Sequence, residues 1–113
     1  MQEVKALATS LQVVLWTRRC MQTVRELYEG VRDAHDSDVA MVADLLARLG
    51  TSGRYIDSEW CDNGNGGLAA CDAYEVWRDD MIPAQGRTIR THYFVKFAIG
   101  KTGQILLVVS CHV

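Results

Sequence analysis

Between Asp57 and Asp80 the chain sets seven carboxylates, Asp57, Glu59, Asp62, Asp72, Glu75, Asp79 and Asp80, against a single base, Arg78. Trp60, Tyr74 and Trp77 are interleaved with them. The segment carries a net charge of −6 in a chain whose total is −2, which leaves the remainder at +4. Carboxylates steer a positively charged partner, and large amphipathic rings anchor it once water is displaced. These acids and rings therefore read as a docking surface for a protein with a basic face. The same residues also fit a solvated acidic stretch with its tryptophans in the core.

Other reactive residues lack partners at a useful spacing. Cys111 and His112 are adjacent, and neighbours on a strand point to opposite faces, so they do not serve each other. Cys111 with His92 is the one thiol–imidazole pair that strand pairing could bring together. Gly100-Lys101-Thr102 has the end of a phosphate-binding loop, but Val95 stands where that motif needs its first glycine, and a strand follows. The stretch from Asp62 to Gly67 lacks the alternating acids and terminal glutamate of an EF-hand. His35, His92 and His112, with Cys20, Cys61, Cys71 and Cys111, include no paired-ligand spacing. No catalytic group, metal ion or cofactor is expected. Cys20 and Cys111 sit in apolar stretches as buried thiols. Cys61 and Cys71 flank one loop and could be bridged, yet all four thiols are expected to be free in a reducing compartment.

One domain must position these residues. The chain has 113 residues, 49% hydrophobic and 23% charged, enough for a single core and too short for two. Helical stripes run through the first 33 residues: Val4, Leu7, Leu11 and Val14, then Cys20, Val24, Leu27 and Val31, out of phase with the first. One long helix that either bends near Thr17-Arg18-Arg19 or buries a broad face is the expectation, ended by Gly30 and the polar run 32–36. A second helix follows over 38–49, with Ser37 as N-cap, Asp38 in its first turn and Gly50 just past its end. Residues 53–60 read as a short strand, and 62–67 as a turn rich in glycine and asparagine. Residues 68–82 are divided between helix and strand. Ala70, Tyr74, Trp77 and Met81 tip them toward helix, and Pro83 ends the element. His92 to Ile99 and Gln104 to Val113 form a hairpin about Gly100-Lys101-Thr102-Gly103. The apolar run Ile105–Val109 marks a central strand. The fold class is α+β, with N-terminal helices packed on a small antiparallel sheet that ends in a C-terminal β-hairpin.

A family likeness touches part of this pattern. Asp33-Ala34-His35-Asp36, the helix after it and Arg54-Tyr55-Ile56-Asp57 resemble the opening of NTF2-like cone-shaped domains. Gly67-Leu68-Ala69-Ala70, with Tyr74 and Trp77, would stand for their third helix. The resemblance implies a cone that holds a small ligand, with isomerase or hydrolase chemistry at an acidic residue inside it. The few strands and long first helix depart from that family.

Composition narrows the rest. The bases are scattered apart from Arg18-Arg19 and Arg87 with Arg90, so nucleic acid is not expected as a direct ligand. No apolar run approaches the roughly 20 residues that span a bilayer. Leu11 to Trp16 is too short for a secretory core, so no membrane partner and a cytoplasmic location are expected. The leading expectation is a small acidic module that binds, and inhibits, a basic protein that handles nucleic acid. Phage-encoded inhibitors of host defence, anti-CRISPR proteins among them, are similar in size and acidity. A homodimer is compatible with the pattern.

Overall fold

The N-terminal stripes do not form one helix. The computed structural model of the chain describes residues 1–31, 37–82 and 85–113. Within them α1 spans Gln2–Thr9, β1 Val13–Leu15 and α2 Arg18–Val31. After α1, Leu11 adopts a left-handed φ of 56°. Val13-Val14-Leu15, rich in β-branching, then extend and pair in parallel with Leu106-Leu107-Val108 near the opposite end of the chain. Thr17 restarts the helix. Its Oγ1 accepts from the Cys20 amide at 3.0 Å and donates to the Val109 carbonyl at 3.0 Å. The polar run 32–36, and with it the Asp33–Asp36 part of the NTF2-like likeness and His35, lies outside the described residues, as does Pro83.

The second expected helix is present as α3, Asp38–Ala47, with Ser37 Oγ accepting from the Ala40 amide at 3.0 Å. It ends before Leu49, and Gly50 lies inside a separate short turn, α4, Leu49–Ser52. The glycine that this corner needs is Gly53, where a Cβ would stand 2.6 Å from the Leu49 carbonyl oxygen.

Four long strands complete the chain: β2 Gly53–Asp62, β3 Leu68–Ile82, β4 Arg87–Ile99 and β5 Leu106–His112. Their order in the sheet is β1-β5-β4-β3-β2. The four pair antiparallel in sequence and β1 adds a parallel edge, so the α+β class holds and the sheet is mixed. Residues 68–82 are strand, not helix. Their helical stripe yields to pairing along both sides, with β2 and with β4. The internal alternation is period two: Tyr74, Val76, Arg78 and Asp80 face the helices, while Ala73, Glu75, Trp77 and Asp79 face away. The third helix implied by the NTF2-like likeness is therefore absent at 68–82.

The core lies between the helices and one face of the sheet. Val4, Ala8, Cys20, Val24, Met41, Val42, Leu45 and Leu46 meet Val76, Tyr93, Val95, Phe97, Leu106, Val108 and Cys111. β5 is interior, between β1 and β4, as its apolar run implies. Among the described residues no helix packs on the other face. The hairpin between β2 and β3 reaches across one end of the sheet, where a Cβ at Gly67 would lie 2.9 Å from the Trp16 ring. The two edges of the sheet thus approach each other there.

A pair of opposite charges sits inside this core. Arg78 is 3% exposed and Asp80 4%. Arg78 Nε donates to Asp80 at 2.7 Å, and its Nη1 donates to the Met41 carbonyl and to Asp44, each at 3.0 Å. Its Nη2 donates to Tyr93 Oη at 3.3 Å, and that hydroxyl donates to Asp80. Burial alone would lower the Arg78 guanidinium, and the neighbouring Asp80 and Tyr93 more than offset it, leaving its pKa above the ordinary value. Burial and the hydrogen bond to Asp80 push the Tyr93 phenol up to about 12.

Two stability outcomes follow from this packing. Asp80→Ala leaves a buried guanidinium short of its carboxylate and should cost about 3–5 kcal/mol in urea unfolding. A cost below about 1 kcal/mol would mean that water reaches Arg78. Leu106→Ala should cost about 2–5 kcal/mol, and Leu107→Ala clearly less, because Leu106 faces the core and Leu107 the open side. Equal losses would contradict that assignment of faces.

Candidate functional site

The strands distribute the acidic and aromatic residues over two faces and an edge. Asp57, Glu59, Trp60 and Asp62 lie on β2, the outermost strand. Trp60 is 71% exposed, the most open large apolar side chain among the described residues. Asp57 is exposed, and Glu59 pairs with Lys96, which holds the Glu59 carboxyl below its usual range. Asp62 accepts from the Gly64 amide at 2.9 Å. Asp72, on the neighbouring strand, is exposed and accepts from Ser58 at 2.6 Å. Of these five residues Asp57 and Glu59 lie on one face of the sheet, and Trp60, Asp62 and Asp72 on the other.

The other members are held elsewhere. Asp80 belongs to the Arg78 network in the core. Glu75 is 6% exposed on the helix-free face, in ion-pair contact with Arg54 and 3.0 Å from His92 Nε2. Both are withheld from any docking surface. Asp79 is exposed, with Arg90 at 3.5 Å. Tyr74 is half-buried, its ring 5.5 Å from Tyr55 and 5.9 Å from Phe97. Trp77 is half-buried and stacks on His92 at 4.4 Å and 6°.

Residues that the sequence reading passed over join these. Tyr55 and Ile56 are exposed on β2 and extend its aromatic edge. On the open face His92 and Phe94 continue the Trp77 stack to His112, with ring centroids 4.6 Å and 5.5 Å apart. Period-two alternation in β4 (His92, Phe94, Lys96 against Tyr93, Val95, Phe97) was the available signal. A cavity of about 770 Å³ opens where Thr17, Arg18, Arg19 and Thr23 of the α2 end face Asp62, Asn63, Ser110 and His112.

The remaining candidates resolve plainly. Cys111 packs in the core opposite Val95, while His92 stands on the other face, so no thiol–imidazole pair forms. Gly100 to Gly103 turn a hairpin, with the Gly100 amide on the Ile105 carbonyl at 2.8 Å and Gly103 at a φ of 73°. Among the described residues no group of three or more His, Cys, Asp or Glu could hold a metal ion, and no helix is long and apolar enough to cross a membrane. The four cysteines are unbridged.

Family models, characterised proteins and solved structures were compared with this chain, and none matches.

Thiol reactivity gives a direct check on this geometry. Burial pushes the Cys20 thiol up to about 11 and the Cys111 thiol up to about 12. Burial and then the neighbouring Cys61 raise the Cys71 thiol to about 12. At pH 7.5 these three hold almost no thiolate, and Cys61 is the one cysteine that is not buried. Brief iodoacetamide treatment of the native protein, mapped by mass spectrometry, should modify Cys61 and spare the other three. Comparable labelling of Cys20 or Cys111 would mean that the core opens readily.

Proposed function

We propose that this chain is a small protein-binding module that docks a basic protein through the β2 edge, and that docking inhibits a partner that handles nucleic acid. The observation that carries the reading is Trp60. A large ring that is 71% exposed stands on the outermost strand between Glu59 and Asp62. Exposed aromatic rings are the usual anchors of protein interfaces, and flanking carboxylates raise the encounter rate with a positive surface. Asp57 and Asp72 extend the negative edge. The bland alternative is that these acids are merely solvated.

A second reading, a domain that binds a small molecule, is favoured by the cavity of about 770 Å³ beside Arg18, Arg19 and His112. A ligand held there should lose affinity on Arg19→Ala and be indifferent to Trp60→Ala.

Charge reversal separates docking from solvation. Asp57→Lys with Asp62→Lys changes exposed positions, and the one bond it removes, from the Gly64 amide to Asp62, keeps the stability cost to about 1 kcal/mol. At an interface the same reversal sets like charges together and costs several kcal/mol. Reversal at Asp80 would unfold the core instead. Captures from source-cell lysate by wild type, the double reversal and Trp60→Ala, compared by quantitative mass spectrometry, should show one basic protein that only wild type retains. Its retention should fall as salt rises, because screening acts beyond about 8 Å at physiological ionic strength. Equal capture by all three, with a flat salt response, would leave the edge without a docking role.

A further inference from the structure

β2 has an open side from Arg54 to Trp60. It pairs only with β3, and seven consecutive residues from Arg54 to Trp60 are exposed. Among the described residues, β3 supplies the backbone partners of β2 and none lies along its outer edge. Unpaired strand edges are templates for another strand, and proteins that gain nothing from this usually cover or shorten them. Here the edge strand runs for ten residues.

The register sorts its side chains. Asp57, Glu59 and Cys61 lie opposite Ala73, Cys71 and Ala69 on the helix-free face. Tyr55, Ser58 and Trp60 lie opposite Tyr74, Asp72 and Ala70 on the other face, with a bulge at Ile56 between the two pairings. One face of the edge therefore offers Asp57 beside the Glu59–Lys96 and Arg54–Glu75 pairs, and the other offers the rings of Tyr55 and Trp60 with Asp62 and Asp72. An added strand meets both faces with alternate side chains.

We propose that β2 accepts an extended, basic segment of a partner protein as a sixth strand, with a basic side chain toward Asp57, whose carboxylate is exposed, and the alternate apolar ones toward Tyr55 and Trp60. The proposal rests on the reading that this edge docks a basic protein, and it adds the mode of recognition and the pattern of the partner. Charge selects the occupant. A second copy paired antiparallel about Ser58 would set Asp57 against Glu59, and like charges across a strand pair are unfavourable. A helix would leave the outer amides and carbonyls of β2 without partners, whereas a strand satisfies them.

Three synthetic octapeptides test this with the whole protein: alternating Lys and Val, the same peptide N-methylated at every residue, and alternating Glu and Val. N-methylation keeps the charge and removes the backbone donors. Affinity is read by NMR titration, and amide hydrogen exchange reports on Gly53 to Asp62. The Lys-Val peptide should bind, slow exchange in β2, and outbind its N-methylated form by at least about tenfold, since several backbone hydrogen bonds are lost. The Glu-Val peptide should not bind, and Trp60→Ala should weaken the Lys-Val peptide. Equal binding by the Lys-Val peptide and its N-methylated form would overturn strand addition while leaving basic docking intact. Binding of Glu-Val as tight as Lys-Val would overturn both. No binding by any peptide, or binding that leaves β2 exchange unchanged, would also defeat strand addition.

Discussion

A guanidinium buried under α3 governs how the helices sit on the sheet. Arg78 projects from the middle of β3, and its donors reach a main-chain carbonyl and a carboxylate on α3, a carboxylate on its own strand and a phenol on β4. An apolar core fixes that helices pack somewhere on a sheet. A planar fork with assigned acceptors fixes where. Burying ions is costly, and a well-packed hydrophobic replacement of such a cluster is often as stable. Its contribution lies in position more than in strength, because sliding α3 by one turn would strand Arg78, Asp80 and Tyr93 together.

That arrangement also changes the meaning of the acidic segment. Counted along the chain, seven carboxylates face one base. In space, Asp80 answers Arg78, Glu75 answers Arg54, Glu59 answers Lys96 and Asp79 lies near Arg90. Three of those bases come from strands outside the segment or at its border. The charge asymmetry is largely neutralised within the sheet, and what remains concentrates at Asp57, Asp62 and Asp72 along one edge.

Local signals were legible where the chain acts locally. Ser37 capped a helix as its type and place implied, and Gly100 to Gly103 closed the last hairpin. Residues 68–82 misled because Ala70, Tyr74, Trp77 and Met81 satisfy a helical spacing while alternate residues satisfy a strand, and only the two flanking strands decide between them. β1 was invisible for a similar reason: three residues become a strand through a partner far along the chain. Of the two readings of the acidic segment, the one that places its tryptophans in the core fails for Trp60, which is exposed on an edge strand. Glu75 and Asp80 were grouped with them because spacing in sequence does not reveal which carboxylates a sheet turns inward.

The parallel pairing of β1 with β5 has a consequence for how the chain comes into being. Synthesis runs from the N-terminus, so α1, β1 and α2 leave the ribosome long before Leu106 to Val108 exist. Their apolar faces lack part of their cover until β5 is made, since Val4, Ala8 and Val24 share a core with Leu106, Val108 and Cys111 of that strand. Closure between distant parts of a chain is slow compared with local pairing. The meander β2 to β5 can zip neighbour by neighbour, whereas the N-terminal quarter must wait for its last strand. During that interval Val4, Ala8 and Val24 present apolar surface that the finished fold buries.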